Sequence, residues 1–262
     1  MKQHFAANIR TLLQQAPFVG HLSRQKFVGQ FIIGLIKRRN VPFGEVAQHL
    51  NDAAKAASNE TRIQAFFREV DLHSVLVARL LRSLLPAQGQ LRLCLDRTEW
   101  DFGQCPVNIL LGTVGTGEVP VPLYWHLLAN RSGNANAADR IAVLEICVAL
   151  PGKDRIGPVV GDREFVGHAW FKWRKDHGLH FVMRRPKHHG LTHAGGRRPA
   201  VADLGLVPGP VRRFAHVQVD GVWSTGSGGR SGSRPWRRTR CLPVCHGRLE
   251  PPRATLCQAL DD

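Results

Sequence analysis

Leu91-Arg92-Leu93-Cys94-Leu95-Asp96-Arg97-Thr98-Glu99-Trp100 is where the chain changes period. Leucines alternate up to Asp96, the period-2 pattern of a strand with one face in a core. Asp96 falls on the other face, where the apolar run stops. A carboxylate at a strand end is rigidly held yet open to water, which suits a hard cation. Ile156-Gly157-Pro158-Val159-Val160-Gly161-Asp162-Arg163-Glu164-Phe165 repeats the form. Alone, an aspartate after a strand more often serves a turn or a helix cap. Two such stretches in one chain point to a scaffold that brings Asp96 and Asp162 together.

Working outward, the three segments after Gln90 read as strands: Leu91–Asp96, Pro106–Val114 and Val119–Leu128, joined by short connections as an antiparallel meander. Ala135 to Leu150 carries Ile141, Leu144, Cys147 and Val148 at helical spacing and ends at Pro151-Gly152. The buried strand before Asp162 follows. Gly167 to His177 is helical, with Trp170 and Trp173 on one side and Gly178 as its C-terminal stop. His180–Arg184 makes a fifth strand. The order β-β-β-α-β-α-β predicts an α/β fold with a ribonuclease-H-like mixed sheet, in which the first and fourth strands are neighbours. The 66 residues from Asp96 to Asp162 (162 minus 96) hold two strands and a helix.

Residues 1–88 read as helices. Phe27–Ile36 is strongly apolar and ends in Lys37-Arg38-Arg39-Asn40, cations where a helix C-terminus favours them. Pro42 opens a second helix with Val46 and Leu50, and Ser58–Thr61 begins a third with Ile63, Phe66, Phe67 and Val70 on one face. Leu72 to Leu85, stopped by Pro86, supplies a fourth. Such a bundle with basic exposed faces serves equally as a DNA-binding domain or as a helical cap on a larger domain.

The chain has 262 residues, enough for one large domain or a medium domain with a smaller partner, and 43% of them are hydrophobic. A formal charge of +16, with basic residues throughout, points to a polyanionic partner, most simply nucleic acid. The residues expected to face it are Lys37, Arg38, Arg39, Arg62 and Arg68 in the helical part, and Arg163, Arg184, Arg185 and Lys187 after it. Six cysteines spread over this length do not form a disulfide framework, and Cys94 and Cys147 sit in apolar runs as buried thiols. No apolar run is long enough for a membrane span, and Met1 to Phe18 lacks the apolar core of a secretion signal. A cytoplasmic, reducing location is the expectation.

Leu95-Asp96-Arg97-Thr98-Glu99-Trp100, Val119–Trp125, Ser132-Gly133-Asn134-Ala135 and Gly161-Asp162-Arg163-Glu164-Phe165 together resemble the IS4 family of bacterial insertion-sequence transposases. The resemblance covers residues 1–223 and rests on several motifs in the same order. It implies a DDE transposase with a helical DNA-binding region and a ribonuclease-H-like catalytic core. Asp96 and Asp162 match the first two catalytic and metal-binding aspartates. Mg²⁺ is the implied cofactor, with Mn²⁺ able to replace it. The implied partners are DNA (element ends and target) and a second copy of the chain in a homodimer, with no membrane. Two-ion phosphodiester chemistry needs a third acid to complete the site. In the family it is a glutamate in a Tyr-x-x-Arg-x-x-x-Glu-x₆-Lys helix after a β-rich insertion.

The chain departs from that pattern. Val211 to Trp223 alternates as a strand of the insertion, but Ser224 to Asp262 contains no Ile, Phe, Tyr, Met, Lys or Asn. Gly, Ser, Arg, Pro and Cys dominate there, the composition of a low-complexity tail. The sharper expectation is that translation leaves the ancestral frame near Ser224. Tyr124 is the single tyrosine, so the glutamate motif is absent, and Glu250 precedes Pro251-Pro252, which ends any helix. The expected divisions are 1–88 helical, 89–190 catalytic core, 191–223 the start of the insertion and 224–262 a disordered tail. Cys241, Cys245, His246 and Cys257 lack the second ligand pair of a zinc site. Lys187-His188-His189 with His193 reads as a solvated basic loop, and Glu99 and Glu164 as ion-pair partners of Arg97 or Arg163, or as acids supporting the aspartates. Two functions follow: a transposase impaired by the missing acid, or a remnant without catalysis that binds DNA and pairs with or inhibits intact copies.

Overall fold

A computed structural model describes residues 9, 11–13, 21–50, 53–116, 120–129, 133–206, 212–230 and 240–245. For Phe102, Arg184, Ala215 and residues 226–230 and 240–245 it describes the backbone alone. The chain divides into two compact units, Met1–Leu84 and Leu85–Asp262.

The first unit contains helices α1 (Leu22–Arg38), α2 (Phe43–Ala47), α3 (Ala56–Glu69) and α4 (Ser74–Arg82). Arg39 stops α1 in the left-handed conformation (φ 55°), its N–H donating to the Leu35 carbonyl. Pro42 fixes the entry to α2. Phe27, Val46, Ala47, Leu50, Ile63, Phe66 and Leu80 form the core. Gly34 lets the helices approach closely, since a Cβ there would lie 3.0 Å from Val46 Cγ1. Phe67, expected on the buried face of α3, is 44% exposed and packs edge-on or stacked against Phe31, Phe43 and Phe66.

The second unit is built on one sheet. Its strands are β1 (Leu91–Phe102), β2 (Cys105–Gly115), β3 (Val121–Leu127), β4 (Ile156–Gly161), β5 (Phe181–Arg185), β6 (Thr192–His193), β7 (Arg212–Val219), β8 (Val222–Arg230) and β9 (Arg240–Cys245). They lie in the order β3-β2-β1-β4-β5-β9-β8-β7-β6. β1 pairs antiparallel with β2 and parallel with β4, and β4 pairs parallel with β5. The fold is therefore mixed α/β, with the first and fourth strands adjacent. Helices α5 (Ala137–Ala149) and α6 (His168–Asp176) make the crossovers to β4 and β5.

Both helices cover one face of the sheet. Leu91, Leu93 and Leu95 of β1 point to it and are buried, as do Leu110 and Val114 of β2 and Val159 of β4. Gly112 admits α5 at van der Waals range, because a Cβ there would collide with Cys147 Sγ and lie 3.3 Å from Val143 Cγ1. Phe171 of α6 meets Phe181 of β5 edge-on at 4.9 Å.

Two segments differ from the expectation. Val211 to Trp223 is not one strand: β7 and β8 form a hairpin whose two-residue turn is Asp220 (φ 47°) and Gly221 (φ 81°), with Val219 paired to Val222. Asp-Gly suits that turn because both positions need φ > 0. Ser224 does not end the ordered backbone either. β8 runs on to Arg230, and β9 fills the place between β5 and β8. Ladder bonds use backbone N–H and C=O groups, so a Ser/Gly/Arg segment beside β7 can still pair. Glu250, His246 and Cys257 lie outside the described residues, as do the side chains of Cys241 and Cys245.

Candidate metal centre

Asp96 and Asp162 take equivalent positions on neighbouring parallel strands. The register pairs Leu95 with Gly161, so each aspartate is the next residue along its strand direction. Strands lie about 4.8 Å apart, which sets the scale of the separation between the two backbones. Both residues are exposed. Each carboxylate is oriented locally in the same way: the Arg97 N–H donates to Asp96 Oδ1 at 2.8 Å, and the Arg163 N–H donates to Asp162 Oδ1.

The pair sits on the sheet face opposite α5 and α6. Cys94, Val160 and Val182 are paired one row below and, with the two aspartates, line a pocket of about 240 Å³. The floor is apolar and the rim is anionic. Burial pushes the Cys94 thiol up from its ordinary range, so it is a weak nucleophile beside the carboxylates. Two adjacent carboxylates with open approach are a donor set suited to Mg²⁺ or Mn²⁺, which take few protein oxygens and complete their shells with water and phosphate. Among the described residues, no group of three or more His, Cys, Asp or Glu side chains gathers into one site.

Arg97 organises the acids around the pair. It follows Asp96 on β1 and faces the opposite side of the sheet. Its Nε donates to both carboxylate oxygens of Glu164 at 3.2 Å, and its terminal nitrogen reaches Glu99 and the Asn108 side-chain oxygen. Both glutamates therefore pair with Arg97. The Gly133 N–H donates to Glu99 at 3.0 Å, and Asn108 Nδ2 donates to the Gly133 carbonyl at 3.1 Å, which ties the β3–α5 connection to the sheet. Glu99 is held below the usual carboxylate range, first by the Gly133 N–H and then by Arg97. Partial burial disfavours the Arg97 charge, but its bonds to Glu99 and Glu164 outweigh this and raise its pKa. The signal for this cluster was available: Arg97 and Glu99 alternate on one face of a strand.

No protein-family model matches the chain, and no curated protein does. A solved structure with which it shares some likeness is Argonaute of Marinitoga piezophila in complex with 5′ OH guide RNA. The TM-score is 0.29 and the identity 8%, over 84% of this chain and 34% of that one. Likeness at that level carries no argument about fold or activity.

The basic residues expected to face DNA separate into groups. Lys37 and Arg39 are exposed at the end of α1, and Arg163 and Lys187 are exposed in the second unit. Arg38 is paired with Glu45, and Arg68 with Glu69 at 3.1 Å, both at the surface. Arg62 lies over the Phe27 ring at 5.1 Å and donates to Gln30 at 3.4 Å. Arg184 occupies the β5 position beside Asp162 by register, and its side chain lies outside the described residues. Arg185 leaves the set. It is 2% exposed and makes a two-pronged pair with Asp220, both bonds 2.8 Å, so it belongs to the interior. The parity of β5 explains this: Phe181, Met183 and Arg185 share the helix-covered face. Among the described residues no helix is long and apolar enough to cross a membrane.

Proposed function

We propose that the chain is a DDE-type transposase of insertion-sequence ancestry, with a ribonuclease-H-like core whose metal site retains two of its three acids. The observation that carries this reading is the equivalent placement of Asp96 and Asp162 on adjacent parallel segments, each one residue past the Leu95–Gly161 register pair and open to one pocket. The motif resemblance supplies the family, and the strand order β3-β2-β1-β4-β5 is compatible with it. A divalent cation, when bound, would polarise a DNA phosphate and lower the pKa of an attacking water or 3′ hydroxyl. Asp96 and Asp162 would hold that cation and orient it, each fixed by its neighbouring backbone N–H. Lys37, Arg39, Arg163 and Lys187 are placed at the surface, where they can neutralise phosphates of element ends or target DNA.

A second reading has its own support. With no third acid gathered at the pair among the described residues, the site can be a remnant that binds DNA without cutting it. Nicking of a supercoiled plasmid carrying the cognate element ends separates the two. The transposase reading expects slow nicking with Mg²⁺ or Mn²⁺ that disappears in both Asp96→Ala and Asp162→Ala. DNA retention with no metal-dependent nicking above that of the two variants supports the remnant instead.

A further inference from the structure

We propose that Arg97 and Glu164 set the spacing of the Asp96–Asp162 pair, with Arg97 acting as a positioning residue for the carboxylates. The inference rests on the reading of that pair as a divalent-cation site.

The β1–β4 and β4–β5 ladders stop short of Asp162. Leu95–Gly161 is the last register pair between β1 and β4, and Gly161–Met183 the last between β4 and β5. Asp162 therefore lies just past the ladder on both sides. Across that gap, Arg97 Nε bonds both oxygens of Glu164, with side chains only 16% and 18% exposed. Arg97 is the residue after Asp96, and Glu164 is two after Asp162. The pair thus clamps the two segments carrying the aspartates, from the sheet face opposite the pocket. The turn is shaped by the Phe165 N–H donating to the Asp162 carbonyl at 3.1 Å, so moving Glu164 moves Asp162. Arg140 of α5 offers a second tie, donating to the Val166 carbonyl at 2.9 Å, but it acts further along the chain. The Arg97–Glu99 arm holds a different segment, the connection at Gly133, and does not touch the Asp162 turn.

Positioning and simple charge make opposite statements about Arg97. Removing a cation near two carboxylates, while freeing Glu99 and Glu164, would by charge alone tighten the binding of a divalent cation. Loosening the geometry would weaken it. Changes to groups that orient metal ligands typically cost 10–100-fold in metal affinity.

The test is titration of the full chain with Mn²⁺ alone, reading free Mn²⁺ by its electron paramagnetic resonance signal, with circular dichroism to follow folding. Arg97→Gln and the charge-balanced double variant Arg97→Gln/Glu164→Gln are expected to weaken Mn²⁺ about tenfold. Arg97→Lys, which keeps the charge and loses the planar fork, is expected to weaken it by a smaller factor. Unchanged or tighter binding in Arg97→Gln overturns the proposal, as does a double variant that binds like the starting chain. Should Arg97→Gln fail to fold, Arg97→Lys decides alone, and full affinity there overturns the proposal. A starting chain whose Mn²⁺ binding survives Asp96→Asn/Asp162→Asn, or which binds none, overturns the cation-site reading itself and this inference with it.

Discussion

Asp220 shows how one residue can hold several elements. Its carboxylate accepts two bonds from Arg185 of β5 and one from the Gly167 N–H before α6, at 2.8, 2.8 and 3.0 Å. Burial alone would raise its pKa, but the Arg185 guanidinium and the Gly167 N–H hold it below the usual carboxylate range. A carboxyl depressed on folding stabilises the native state above its unfolded pKa of about 3.9, and that contribution is lost as pH falls through the folded value. Asp220→Ala leaves a buried cation unpaired, so it should cost about 3–5 kcal/mol at pH 7. In urea unfolding, the gap between the variant and the starting chain should shrink as pH falls below about 4, where Asp220 begins to protonate in the unfolded starting chain while it stays ionised in the folded one. An equal gap at pH 7 and pH 3 would contradict the account. Asp96 and Asp162 were legible in the sequence because a strand pattern ended on each. Arg140, Arg174 and Arg185 were not, since an arginine inside the core leaves no mark in composition. Arg174 is wholly buried with its guanidinium over the Phe181 ring at 3.3 Å, an environment made by tertiary packing alone.

At the scale of elements, α5 and the centre of the sheet meet through Gly112. The strand pairs with β1 at Leu95 and with β3 at Tyr124, so it cannot shift to make room. Gly112→Ala places a methyl against Cys147 and Val143 and should cost about 1–3 kcal/mol by overpacking. Thermal unfolding checks this, and Cys147→Ala in the same chain should recover part of the loss. A Gly112→Ala chain as stable as its parent would show that α5 packs further from the sheet. The strands β1 to β5 and the two crossover helices were readable because their apolar residues repeat at periods of 2 and 3.6. β1 runs longer than its apolar part, to Phe102, because the polar half from Arg97 to Asp101 still finds a partner in β2. The β7–β8 hairpin had its signal in Asp220-Gly221, hidden inside a continuous alternation. β8 beyond Ser224 and β9 had none, since backbone pairing requires no hydrophobic pattern.

For the whole molecule, the chain divides into two units, and within the second β1 and β4 are adjacent. The helices close one face of the sheet, and the carboxylates stand on the other, just past the last register pair between β1 and β4. The order of elements implied that β1 and β4 are neighbours; it could not give the Arg97–Glu164 pair, which joins residues 67 apart in the chain. The charge of +16 fits a polyanionic partner but does not select one. Asp96 and Asp162 are proposed to act together as a divalent-cation site. The most direct test is Mn²⁺ titration of the full chain beside Asp96→Asn and Asp162→Asn. The account predicts one class of Mn²⁺ site that either single substitution abolishes. Binding that persists unchanged in both variants would contradict it.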